Sequence, residues 1–111
     1  MGVSGDQGRE SDRVYEIAAE LFALLSAPIR LRIVCTLGQS ELNVKQLLDR
    51  IETTQPNLSQ HLATLYRSGV LVRRRQGSEM HYRVVSEKVL QLCLAIQDPQ
   101  GSMGSKDPSD V

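Results

Sequence analysis

No apolar stretch in this 111-residue chain approaches the ~18 residues that a membrane-spanning helix needs. Nor is there a charged start followed by a long apolar run, the pattern of an export signal. The expected compartment is therefore cytoplasmic, with no membrane partner. Cysteine is scarce: Cys35 and Cys93 are the only two and lie far apart, which excludes a disulfide scaffold and predicts free thiols. No nucleophile, base and orienting group occur together, and the two histidines, His61 and His81, are too few for a conventional zinc site. No enzyme and no cofactor are expected. Internal repeats are lacking, and at this length the chain suits one domain with a modest core that a shared dimer interface would enlarge.

Net charge is lacking too, but the zero is an average over segregated segments. Residues 1–26 carry two basic and five acidic side chains, residues 27–53 four and three, residues 54–84 five and one, and residues 85–111 two and four. The basic excess is thus confined to 54–84, where it consists of Arg67, Arg73, Arg74, Arg75 and Arg83. On its own such a run is usually only a solvated face.

What is present is a succession of short amphipathic segments between two polar ends. "MGVSGDQGRESD" and "DPQGSMGSKDPSDV" are rich in Gly, Pro, Ser and Asp and cannot bury enough apolar surface to offset their ordering entropy. The expected organisation is a flexible tail over 1–12, one domain over 13–97 and a second tail over 98–111. Val14, Ile17, Ala18, Leu21, Leu24 and Leu25 recur at helical spacing and predict a first helix ending near Ser26. Pro28 suits the first turn of a second, which Ile29, Leu31, Ile33, Val34, Cys35 and Leu37 carry to Gly38. Asn43, with Gln46 three residues on, predicts a capping box for a short third helix bearing Val44, Leu47, Leu48 and Ile51. Thr54 and Pro56 open a fourth, whose Leu58, Leu62 and Leu65 face inward and which Gly69 ends.

Beyond Gly69 the period changes. "VLVRRR" and "MHYRVV" are β-prone runs joined by "QGSE", a hairpin with Gly77 at the turn, and "SEKVLQLCLAIQ" returns to helix from Ser86 to about Gln97. The order α-α-α-α-β-β-α predicts a mainly α fold with a β-hairpin wing, a winged helix-turn-helix whose fourth helix enters the major groove of double-stranded DNA. Such a helix reads base edges with neutral donors and acceptors, while arginines nearby neutralise phosphates. Gln55, Asn57, Ser59, Gln60 and Thr64 supply the neutral face, and Arg74, Arg75, Gln76 and Gly77 the wing. The competing readings are a solvated polar surface, or a winged helix used for protein contacts, since fold does not fix function.

The stretch "LSAPIRLRIVCTL" followed by "ELNVKQLLDRIETTQPNLSQHLATLYRSGVLVRRRQGSEMHYRV" resembles the ArsR/SmtB family of bacterial repressors over roughly residues 21–97. The resemblance lies in the Pro-x-Arg-Leu-x-Ile entry to helix two, the Leu-Ser-x-His-Leu-x-x-Leu recognition helix and the Arg-x-Gly…Tyr wing. It implies a homodimer joined through its first and last helices. Such a dimer binds an imperfect palindrome and releases it when an inducer or oxidant is sensed. Gln55, Ser59 and Gln60 match DNA-contacting positions of the recognition helix, Arg75, Gln76 and Gly77 match the wing, and His61 matches a histidine read as structural.

The family's metal sites do not carry over. "ELNVKQLLD" has Asn43 and Lys45 where a Cys-x-Cys motif would stand, and the last helix has no histidine. Cys35, in "LRIVC", matches a cysteine of the sulfide- and redox-sensing (BigR/SqrR-like) branch, which pairs it with a second thiol in the last helix. Here that thiol is Cys93, about two turns earlier than in the branch. The resemblance thus implies release by reactive sulfur species or an oxidant at Cys35 and Cys93. The alternatives are a metal or metalloid inducer, or no ligand at all, with both cysteines structural; free cysteine is commonly buried.

Overall fold

The structure, a computed structural model, describes the backbone of residues 2–98 and the side chains of residues 12–98. Five helices and three strands follow in the order α1 (Gly2–Leu24), α2 (Pro28–Leu37), β1 (Leu42–Asn43), α3 (Val44–Arg50), α4 (Gln55–Ser68), β2 (Leu71–Gln76), β3 (Glu79–Val84) and α5 (Glu87–Gln97). This is a winged helix-turn-helix, as the period changes in the sequence predict.

Local chemistry sets most of the boundaries. Asn43 accepts from the Gln46 amide at 2.8 Å while the Gln46 side chain accepts from the Asn43 amide at 2.9 Å, so both halves of the capping box form. Thr54 caps α4 through the Asn57 amide, Pro28 and Pro56 occupy first-turn positions, and Ser86 caps α5 through the Val89 amide. Gly69 closes α4 at φ 91°, in the left-handed region that a side chain would strain.

The core joins Ile33, Val34 and Leu37 of α2, Leu47 of α3, Leu58, Leu62 and Leu65 of α4, Leu71, Tyr82 and Val84 of the hairpin, and Val89 and Cys93 of α5. The inward-facing leucines of α4 are wholly buried, as their spacing indicates. β3 is the middle strand of an antiparallel sheet in the order β1-β3-β2.

Two features differ from expectation. β1 is additional: two residues long, it carries no propensity signal and forms because Leu42 and Asn43 lie opposite Tyr82 and His81. α1 begins at Gly2 rather than near Val14, so helical backbone runs through the segment read from composition as a tail; extending a nucleated helix is inexpensive. The apolar stripe of α1 is also largely outside the core. Leu25, just past its end, is buried and Leu21 and Leu24 are partly so, whereas Val14 and Ile17 are more than half exposed. Of the expected C-terminal tail only Asp98 is among the described residues.

Candidate nucleic-acid interface and thiol pair

α3, the Ile51–Thr54 link and α4 form the helix-turn-helix, and packing of Leu58, Leu62 and Leu65 beneath α4 fixes which side chains it turns outward. Gln55, Ser59 and Gln60 are exposed, whereas Asn57 and Thr64 are half-buried and partly engaged. The Asn57 side-chain amide donates to the Thr53 hydroxyl at 2.9 Å, and the Thr64 hydroxyl donates to the Gln60 carbonyl at 3.2 Å. Gln55 also borders an open groove of about 460 Å³ between α3 and the wing, lined further by Lys45, Leu48, Glu79 and Met80.

Gly77, at φ 66°, permits the tight turn from β2 to β3, and Arg75, Gln76 and Gly77 are all exposed there. Arg74 behaves differently from Arg75. It donates two hydrogen bonds to Glu41, Nε to Oε2 at 2.9 Å and Nη2 to Oε1 at 2.8 Å, and this fork holds the Glu41 carboxyl below its ordinary range. Arg73 lies 4.0 Å from the centroid of the Tyr66 ring. Arg67, Arg75 and Arg83 are exposed and carry no ion pair among the described residues. Neither Glu41 nor Tyr66 is marked in the sequence, nor is Arg73 set apart there from the other arginines: Glu41 stands 33 residues from Arg74, and only the pairing of β1 with β3 brings it near.

His61 is half-buried and accepts at Nδ1 from Arg30 at 3.4 Å, while Arg30 also donates to the Leu24 carbonyl. This histidine ties α4 to the α1–α2 corner, the structural role expected of it. The two cysteines are brought near one another although Cys93 stands earlier on the last helix than the resemblance implies. α5 packs along α2, which brings buried Cys93 near enough to half-buried Cys35 for the two thiols to influence each other. Burial first, and the neighbouring Cys35 thiol second, push the Cys93 thiol up to about 12. Among the described residues no group of three or more His, Cys, Asp or Glu could hold a metal ion, and no helix is long and apolar enough to cross a membrane.

Residues 27–72, from the start of α2 into β2, match the sequence profile of the bacterial regulatory protein, arsR family. The biofilm growth-associated repressor of Xylella fastidiosa (strain Temecula1) is 41% identical over 78 residues, 70% of this chain and 68% of that protein. The chain belongs to the arsR family. Among solved structures of similar proteins, the transcriptional repressor BigR from Xylella fastidiosa superposes with a TM-score of 0.72 at 38% identity, covering 81% of this chain and 91% of that one. Reduced HlyU from Vibrio cholerae N16961 gives 0.75 at 32% identity over 83% and 99%. These arsR-family relatives are transcriptional regulators, not enzymes.

Proposed function

We propose that this arsR-family repressor is a cytoplasmic homodimer, with its binding and dimerisation domain over 13–97. It binds an imperfect palindrome in double-stranded DNA and is released when Cys35 and Cys93 are modified. The observation that carries DNA reading is the uncharged, outward face of Gln55, Ser59 and Gln60 beside an unpaired wing arginine, Arg75. Neutral amides and hydroxyls match the donors and acceptors of the major groove, and an exposed guanidinium matches phosphate. Asn57 and Thr64 keep spare hydrogen-bonding capacity for the same face, and Gln76 and Gly77 bring the wing backbone close to DNA.

Dimerisation is supported by apolar surface left uncovered on the first and last helices. Val14, Ile17, Phe22, Leu94 and Ile96 are each more than half exposed, and a groove of about 350 Å³ lies between α1 and α5. Two such faces brought together by a twofold axis bury one another and set the two α4 helices apart by a fixed distance.

The thiol switch is supported by the packing of α5 on α2, which sets Cys93 near Cys35. Cys35, the more exposed, attacks a disulfide R–S–S–R′ and expels R′–S⁻; Cys93 then loses its proton, attacks the Cys35 sulfur and expels R–S⁻. Two thiols become one disulfide and the reagent becomes two thiols. With a persulfide R–S–SH, Cys35 takes the outer sulfur to form Cys35–S–SH and releases R–S⁻. Closing a disulfide to a sulfur–sulfur bond of about 2.05 Å draws α2 and α5 together. Because α2 also packs on α4, the spacing of the two recognition helices changes and contacts at one half-site are lost. Burial and the raised pKa of Cys93 favour a second reading, in which both thiols are structural and a metal, a metalloid or no ligand sets repression.

The experiment is a gel shift with the promoter of the chain's own gene, before and after an organic persulfide and a diamide-type oxidant, for the wild type, Cys35→Ser and Cys93→Ser, with intact mass recorded. Loss of wild-type binding with matching mass changes, absent in both serine variants, is expected. Unchanged wild-type binding, or a response that survives in both variants, makes the thiols structural.

A further inference from the structure

The three consecutive arginines of β2 have unlike surroundings, although sequence alone makes them interchangeable. Alternation along a strand turns Arg73 and Arg74 to opposite faces. Arg74 sits opposite His81 of β3, which sits opposite Asn43 of β1. From there its guanidinium reaches Glu41, immediately before β1, so the side chain straps the two outer strands across the middle one, a span of about 10 Å. On the other face Arg73, opposite Tyr82, lies over Tyr66 near the end of α4. Arg75, opposite Met80, has neither ion pair nor ring contact among the described residues.

We infer that Arg73 and Arg74, together with Glu41, are positioning residues that clamp the wing from its two faces, and that Arg75 alone of the three is left to meet the DNA backbone. The part of the inference that concerns Arg75 rests on the DNA-binding reading above. β1 pairs with β3 only at its middle, His81 and Tyr82, so the hairpin tip beyond has no third strand to hold its angle. An exposed ion pair adds little stability by itself, but a two-bond fork fixes geometry. Arg74 is also a poor phosphate ligand. Its fork is filled by a carboxylate, and a phosphate displacing Glu41 would keep that negative charge beside it. Stacking on Tyr66 in turn commits Arg73 to the recognition helix, so groove reading by α4 and backbone contact by the wing are set at one mutual angle.

The test is operator binding as a function of salt for Arg73→Ala, Arg74→Ala, Arg75→Ala, Glu41→Gln, Arg74→Glu and the charge-reversed double variant Glu41→Arg/Arg74→Glu. It is paired with amide hydrogen exchange on the DNA-free protein. Arg73→Ala, Arg74→Ala and Glu41→Gln should weaken binding about three- to tenfold without changing the salt slope. Arg75→Ala should lower that slope by about one. The double reversal should recover most of the affinity lost in Arg74→Glu, because the strap is rebuilt with its ends exchanged. Exchange should quicken at β2 and β3 in Arg74→Ala and Glu41→Gln while α2 and α4 stay protected. A slope reduced by about one in Arg74→Ala, tighter binding in Glu41→Gln, no rescue in the double variant, or unchanged hairpin exchange overturns the clamp. Absence of salt-dependent operator binding by the wild type would sink the DNA reading instead, and the exchange result would still decide the clamp.

Discussion

On the proposed DNA-binding function, single side chains on α4 and the wing divide into readers and neutralisers. Gln55→Ala or Gln60→Ala should weaken operator binding by roughly 1–3 kcal/mol and blur preference among altered operators, because on that proposal each removes a base-edge hydrogen bond. Arg75→Ala should weaken all sequences alike, a contrast that a gel-shift panel of operator and scrambled DNA resolves. The thiols make a second residue-level case. Folding raises the Cys93 pKa from an ordinary 9.0 to about 12, so the unfolded chain releases that proton first. The stability Cys93 contributes is complete below pH 9 and is lost as pH rises towards 12; denaturation followed between pH 8 and 11 should show a decline that Cys93→Ala lessens. Glu41 has the opposite sign. Its folded pKa lies below its ordinary value of 4.5, so its contribution is present above that value and lost as pH falls further.

Among elements, the α3 cap reaches furthest beyond itself. Asn43 closes the capping box and also donates to Glu79 at 3.0 Å, linking the start of the helix-turn-helix to the wing. Asn43→Ala should therefore destabilise the fold by about 1 kcal/mol or more in urea denaturation, and it should loosen the wing, as increased exchange at β3 amides would report. The cap itself was legible in "NVKQ" because a capping box is closed within four residues. The link to Glu79 was not, since it joins residues 36 apart. α1 shows the same division: its period announces an amphipathic helix correctly, yet the stripe that would ordinarily mark a core contact leaves Val14 and Ile17 open. Periodicity specifies a face, not what covers it.

Taken whole, the described part of the chain leaves apolar surface uncovered. Its core is continuous from α2 to α5, while the outer sides of α1 and α5 stay uncovered. Light scattering at micromolar concentration should report a dimer. Ile17→Glu combined with Leu94→Glu should give a folded monomer that binds operator DNA far more weakly, because two half-sites one helical turn apart need two recognition helices held together. A wild-type monomer would count heavily against this assembly.

The amino-acid order by itself determined the elements, their caps and turns, the outward polar face of α4 and the basic character of the wing, because each depends on contacts within a few residues or on the helical and strand periods. Tertiary structure alone decided the rest. It created β1 by giving Leu42 and Asn43 a partner strand, and it gave Arg74 to Glu41 and Arg73 to Tyr66 while leaving Arg75 open. It also brought Cys93 near Cys35, a question that the sequence left open. The physical reason is common to all of them: each pairing joins groups distant along the chain, and their separation in space is set by how α2, α5 and the sheet pack around one shared core, a property of the assembled elements and of no single segment.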